Sequence, residues 1–228
     1  SIISAKPIRP FIENNDIADN PLNILNKRKR DNPDRLIFGN LNVNSIRSKF
    51  DQMKFLLQGK VDILVLTETK LDNSFPTNQF LIEGYSKPFR LDRNGNGGGL
   101  LVYIREDVPC KELKSHNFAD DIEGIFIEIN LRKCKWLLFA TYHPPSQCDK
   151  YFFDHLSKGL DTYSTLYDKF VLIGDFNAEE SEDTLACFLD NHNASNIQCV
   201  QRGWKSWKSW KSWKKEYFGK TGWKSWKI

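Results

Sequence analysis

The chain has 228 residues and a mass of 26.6 kDa, with 40% hydrophobic and 27% charged residues, which excludes wholesale disorder and a fibrous protein. No apolar run approaches the ~18 residues that cross a bilayer, and residues 1–10 hold two prolines and no apolar h-region, so neither a membrane partner nor a signal peptide is expected. The net charge of +4 divides unevenly: residues 201–228 carry eight Lys and one Arg against one Glu, a net +8, leaving residues 1–200 with 24 basic and 28 acidic side chains, a net −4.

Residues 1–34 are rich in Asn, Asp, Pro and Ile without a sustained period and read as a linker or disordered arm. Within them, Lys27-Arg28-Lys29-Arg30 reads either as a nuclear-localisation or phosphate-contacting patch or as a solvated charge run. Residues 35–43 (RLIFGNLNV) look like a buried strand with a polar mouth. Ser45 is placed to cap a helix whose apolar residues Ile46, Phe50, Met53 and Leu57 share one face. Residues 61–67 (VDILVLT) suit a strand buried on both faces.

Gly95 to Gly99 then make a turn into a strand over 100–105. Residues 122–131 alternate and pair with 135–142 as a hairpin, 151–167 read as a helix, and 170–174 (FVLIG) as another buried strand. Consecutive strand runs mixed with helices indicate an α/β (α+β) chain of packed sheets with helices outside. Five cysteines (Cys110, Cys134, Cys148, Cys187, Cys199), odd in number and without CxxC spacing, read as reduced thiols of an intracellular protein. The only methionine is Met53, so the chain reads as a fragment or an incomplete gene model.

From 201 onward the pattern changes. Trp-Lys-Ser repeats with period three from Trp204 to Trp213, and the segment holds six of the seven tryptophans. A three-residue step advances a helix by about 300°, so these rings form no single face, and in a strand they alternate sides. The segment is therefore expected not to pack as a regular element. It reads as a translated tandem repeat or frameshift, with a cationic aromatic tail that clings to nucleic acid as the functional alternative.

Four polar clusters end apolar strands: Asn42-Val43-Asn44, Glu68 after ILVLT, Tyr142-His143-Pro144-Pro145, and Asp175-Phe176-Asn177 after FVLIG. Each has a bland reading as a strand end, but together they supply carboxylate, amide and phenol groups to one cleft. That set suits hydrolysis with Mg²⁺, a hard ion held by one or two carboxylates plus substrate phosphate. Asp175 is placed to orient or deprotonate water, and Asn177 and Tyr142 to donate to phosphate oxygens.

Leu41-Asn42-Val43-Asn44, Thr67-Glu68-Thr69, Thr141-Tyr142-His143-Pro144-Pro145 and Gly174-Asp175-Phe176-Asn177, in that order, resemble the endonuclease/exonuclease/phosphatase superfamily. LDRNGNGGGLLVYIRED, IEGIFIEINLRK, KWLLFATYHPPSQ and YDKFVLIGDFNAEES resemble its apurinic/apyrimidinic-like endonuclease domains of non-LTR (LINE-type) retrotransposons. The resemblance covers residues 35–197. It implies a DNase I-like four-layer sandwich of two packed β-sheets flanked by helices, a Mg²⁺ cofactor with Mn²⁺ as a substitute, DNA as partner, and a reverse transcriptase domain in the parent polypeptide. By position, Asn42 matches the active-site asparagine, Glu68 the metal-binding glutamate, Tyr142 the active-site tyrosine, Asp175 the water-activating aspartate and Asn177 the phosphate-contacting asparagine. Asn44 stands where related enzymes place a group near the metal.

The family continues to a late aspartate and a catalytic histidine on closing strands. Here the only histidine after Asn177 is His192, in DNHNAS, and the expectation is a domain without its closing strands and with impaired activity. His143 matches no catalytic position. Two alternatives stand beside the nuclease: a dead remnant that at most binds nucleic acid, and a phosphatase or phosphodiesterase of the same superfamily.

Overall fold

The computed structural model describes residues 21–113, 121–131, 134–163, 165–167, 169–177, 183–192 and 226–227. Along the chain run α1 (Pro21–Asp31), β1 (Ile37–Asn42), α2 (Phe50–Leu57), β2 (Ile63–Thr67), a 3₁₀ turn (Thr77–Phe80), β3 (Phe89–Leu91), β4 (Leu100–Ile104), β5 (Cys110–Leu113), β6 (Glu123–Leu131), β7 (Cys134–Tyr142), α3 (Asp149–Tyr163), β8 (Lys169–Asp175), α4 (Asp183–Asn191) and β9 (Trp226–Lys227). The strands form one sheet of order β3-β4-β2-β1-β9 and a second of order β5-β6-β7-β8.

The period of two in the apolar strands sorts their side chains into three core layers. From β2 and β4, Ile63, Val65, Leu100, Val102 and Ile104 point between the sheets, where they meet Ile125, Ile127, Leu138 and Ala140 of β6 and β7. The intervening residues, Leu64, Leu66, Leu101 and Tyr103, face the other way onto Met53 of α2. On the far side, Phe126, Leu137 and Phe139 pack against Phe152, Phe153, Leu156 and Leu160 of α3 and Phe188 of α4. Two packed sheets with helices on both outer faces are the four-layer sandwich expected, and every residue of β2 and β4 is buried because each strand serves two layers.

The β6–β7 hairpin pairs from Glu123↔Tyr142 to Leu131↔Cys134, as the alternation predicts. Parallel pairing of β1 with β2 and of β7 with β8 carries the carboxyl ends of all four strands to one end of the sandwich. Asn40 of β1 ties the sheets together by donating its Nδ2 to the Gly174 carbonyl of β8 at 2.7 Å. Residue 174 has to be glycine: a Cβ there would lie 1.8 Å from the Thr141 carbonyl oxygen.

Three expectations are corrected. Residues 21–31 are not an arm but α1, and Lys29 of the basic run donates to Asp62 at 2.5 Å. Asp62 is 2% exposed, also accepts the Ile37 N–H at 2.7 Å and pairs with Arg105, which makes it the anchor of this end of the fold. Ser45 does not cap α2, which starts at Phe50 after Lys49; Ser45 instead adopts φ 74° and donates its N–H to the Glu68 carbonyl at 2.8 Å. Finally, the Trp-Lys-Ser segment does contribute a regular element: Trp226 and Lys227 pair antiparallel with Phe38 and Ile37 as β9. The rest of 201–228 lies outside the described residues, as do residues 1–20 and Cys199.

Candidate active site

Asn42 ends β1, Glu68 follows β2, Tyr142 ends β7 and Asp175 ends β8. Registers Asn42↔Thr67 and Tyr142↔Asp175 set the four ends side by side, and the packing of the two sheets closes them on one cleft. At its centre the Asn42 Nδ2 donates to Glu68 Oε1 at 2.7 Å and to Asp175 Oδ2 at 2.9 Å. An amide nitrogen has two hydrogens, so one side chain fixes two carboxylates from opposite sheets. Its Oδ1 accepts the Asn44 N–H at 3.1 Å, which leaves the amide no freedom to flip.

Tyr142 donates its hydroxyl to the same Glu68 Oε1 at 3.1 Å. Burial, then the charge of Glu68, pushes its phenol well above the ordinary tyrosine range, so it keeps its proton at neutral pH and stays a donor. Asn177 donates Nδ2 to the His143 carbonyl at 2.6 Å and turns its own N–H toward Asp175 Oδ1 at 3.4 Å. The structure thus brings Asn42, Glu68, Tyr142 and Asp175 into one hydrogen-bonded set, with Asn44 and Asn177 on its rim.

The described non-glycine residues of positive φ are Asn44 (41°), Ser45 (74°), Glu68 (53°), Lys70 (54°) and Asn177 (45°), and all of them belong to this cleft. Left-handed backbone costs such residues on the order of 1–3 kcal/mol each, and persists where the surroundings impose it. Here the surroundings are interloop bonds: Ser45 and Ile46 donate to the Glu68 and Thr69 carbonyls, and Thr69 and Lys70 to those of Gly99 and Gly98.

Sequence reasoning missed three residues around the cleft: Lys70, Lys49 and Glu123. Lys70 donates Nζ to Asn44 Oδ1 at 2.5 Å and stands 3.9 Å from Glu68 Oε2. Lys49 donates Nζ to the Val43 and Asn44 carbonyls, and burial followed by the charge of Lys70 lowers its pKa. Glu123, 7% exposed, accepts the Gly99 N–H at 2.6 Å and pairs with Arg93 at 3.2 Å, and burial raises its carboxyl above the usual Glu range. The one available signal was that Lys70 lies two residues beyond Glu68; Glu123 sat in an alternating strand and read as its polar face.

A divalent cation suits this donor set. Glu68 Oε1 is engaged by Asn42 and Tyr142, while Oε2 and Asn44 Oδ1 together face the Lys70 ammonium, a cation already drawn to those two oxygens. Among the described residues no group of three His, Cys, Asp or Glu stands together, and the donors that would face a cation are Glu68 Oε2 and Asn44 Oδ1. Two other described histidine rings point elsewhere: His155 Nδ1 meets the Tyr151 carbonyl, and His192, at the end of α4, meets Ser157 Oγ at 3.0 Å. His192 is no part of the cleft.

The sequence model of the Endonuclease/Exonuclease/phosphatase family matches residues 22–224, and the chain belongs to that family. The match runs further than the recognisable phrases of 35–197 and takes in most of the Trp-Lys-Ser segment. Comparison with curated proteins finds no match. Among solved structures, the chain is similar to a 3′-5′ exonuclease from Neisseria meningitidis (25% identity, 62% of this chain and 58% of that one, TM-score 0.46). It is also similar to an AP endonuclease from Archaeoglobus fulgidus (27%, 63% and 58%, 0.44). A third is the endonuclease domain of a telomere-specific non-LTR retrotransposon (13%, 68% and 70%, 0.49). The chain spans about three fifths of the first of these structures. No described helix is long and apolar enough to cross a membrane.

Proposed function

We propose that the chain is a Mg²⁺-dependent phosphodiester hydrolase, the DNA-nicking endonuclease domain of a retrotransposon-derived protein. One observation carries the reading: a single amide, Asn42, holds Glu68 and Asp175 across the sheet interface at 2.7 and 2.9 Å, with Tyr142 on the same Glu68 oxygen. Such a set is preorganised for charge that develops on phosphate. Glu68, with Asn44, would hold the metal, which supplies Lewis-acid stabilisation of the phosphate when bound.

Asp175 is oriented by two donors and presents its carboxylate to a water that attacks phosphorus, taking the proton. In this reading Asn177 and Tyr142 donate to phosphate oxygens, Tyr142 by turning its hydroxyl from Glu68 Oε1 to the substrate. Lys70 and Lys49 add positive charge at the mouth of an otherwise acidic body and favour a polyanionic substrate. The DNA branch, rather than the phosphatase branch, rests on the phrases GDFNAEES and YHPP.

A second reading, nucleic-acid binding without catalysis, is favoured by the absence of a histidine ring in the cleft among the described residues. The test offers the full chain supercoiled plasmid, a 3′-phosphorylated oligonucleotide and an inositol phosphate, each with Mg²⁺. Nicked circles without released phosphate support the endonuclease. Phosphate release alone supports a phosphatase, and binding without turnover supports the remnant.

A further inference from the structure

We infer that His143 is the positioning residue of the Asp175–Asn177 loop, an inference that rests on the hydrolase reading above. His143 lies in the sequence YHPP, matches no catalytic position of the family, and is completely buried, yet every polar group it owns is engaged. Three of them act on consecutive residues of one loop. Its backbone N–H donates to the Asp175 carbonyl at 2.8 Å. The ring Nδ1 donates to the Phe176 carbonyl at 2.7 Å, the shorter of the ring's two contacts with carbonyl oxygens. Its own carbonyl accepts the Asn177 Nδ2 at 2.6 Å.

The rest of the ring is fixed on the side of the third core layer. Nε2 faces the Gln147 carbonyl at 3.1 Å and Asp149 Oδ1 at 3.5 Å, and the ring face stacks on Phe152 of α3 at 4.3 Å between centroids. The imidazole is therefore a strut between α3 and the loop that follows β8. The loop needs one, because Asn177 holds φ 45° and the segment leaves the sheet at Asp175. Loss of the strut frees the Phe176 carbonyl to turn, and Asp175 and Asn177, on either side of it, turn with it. A misplacement of about 1 Å in such groups costs on the order of 10²-fold in rate.

Two amide substitutions separate this role from simple core filling. Asn places its Nδ2 near the position of His Nδ1, whereas Gln places its Nε2 near that of Nε2. His143→Asn therefore keeps the bond to Phe176 and His143→Gln keeps only the one to Gln147; His143→Phe keeps neither but fills the stack. Two readouts are taken on the full chain: plasmid nicking with Mg²⁺, resolved into kcat and KM, and the ¹H–¹⁵N resonances of the Asp175 and Phe176 amides and of the Asn177 side chain.

The expected order is a kcat loss of about threefold for His143→Asn, one lost bond's worth, and on the order of 10²-fold for His143→Gln and His143→Phe, with KM within about twofold in all three. The loop resonances move in the Gln and Phe variants, and those of β2 and β4 do not. Equal losses for Asn and Gln that follow their melting temperatures, or unmoved loop resonances in His143→Gln, overturn the inference. If the unsubstituted chain does not nick, the hydrolase reading fails, and the loop resonances alone decide the role of His143.

Discussion

Replacing Asn42 by Asp changes almost no volume and reverses the sign of the contacts at the centre of the cleft. The two amide hydrogens that lie 2.7 Å from Glu68 and 2.9 Å from Asp175 give way to a carboxylate oxygen facing two others. Unit charges about 4 Å apart repel by ~4 kcal/mol at the effective dielectric of a half-buried site, so three ionised groups cannot share it. The trio instead takes up one proton. For a carboxyl of ordinary pKa near 3.9, holding that proton at pH 7 costs ~4 kcal/mol, and this caps the electrostatic penalty.

The bound proton restores one of the two lost hydrogen bonds; the other, made to a charged group, is worth ~1.5–3 kcal/mol. Asn42→Asp is therefore expected to lose ~6 kcal/mol at pH 7. The folded variant binds one proton more than its unfolded chain. Its deficit therefore shrinks by ~1.4 kcal/mol per unit as pH falls from 7 towards 4, and grows as pH rises, until the trio loses the proton. Urea unfolding of the two chains at pH 5, 6 and 7 reads this directly, with Asn42→Ala as the control that adds no charge. A deficit for Asn42→Asp that does not change with pH, or that matches Asn42→Ala throughout, would refute the reasoning that Asn42 is the neutral bridge of two carboxylates.

Two further outcomes are expected. Glu123→Gln keeps an acceptor for the Gly99 N–H but removes a charge whose burial raises the Glu123 pKa, so the stability cost of that charge is absent below the unfolded pKa and appears as pH rises through the folded one. The variant should gain stability over the native chain at pH 7 and lose that advantage near pH 4; chemical denaturation at both values checks it, and a gain of equal size at both contradicts it. Gly99→Ala sets a Cβ 2.5 Å from Thr69 Oγ1 at φ 90°, so it should cost ~1–3 kcal/mol and disturb the Glu68 loop; unchanged melting and unchanged Mg²⁺ response would count against that loop's dependence on the glycine turn.

Much of the fold was legible because β2, β4 and most of β7 are apolar at successive positions, as strands that serve two core layers are, while β6 alternates and marks the hairpin. The four polar strand ends were legible for the same reason: an apolar run drives each strand inward, and its first polar residue emerges at the rim. The sequence did not reveal how those ends are held. Ser45 looked like a helix cap because its spacing to Phe50 is right. The chain, however, makes a left-handed turn there, imposed by bonds to the Glu68 loop 23 residues away.

Lys70, Glu123 and the loop contacts of His143 escaped notice for a related reason. Each acts through tertiary partners, Asn44, Gly99 and Phe176, that no local period connects to it. β9 escaped because strand addition to β1 is a matter of backbone pairing, to which the period of the tryptophans is no guide.

The most direct test of the central claim is nicking of supercoiled plasmid by the full chain, with Mg²⁺ and with EDTA, beside Glu68→Ala. Glu68 is the carboxylate on which Asn42, Tyr142 and Lys70 converge, and among the described residues no second one receives all three. The account predicts nicked circles that require Mg²⁺, vanish in EDTA and vanish in Glu68→Ala. Nicking that persists in EDTA, equal nicking by Glu68→Ala, or no nicking by a folded chain would contradict it.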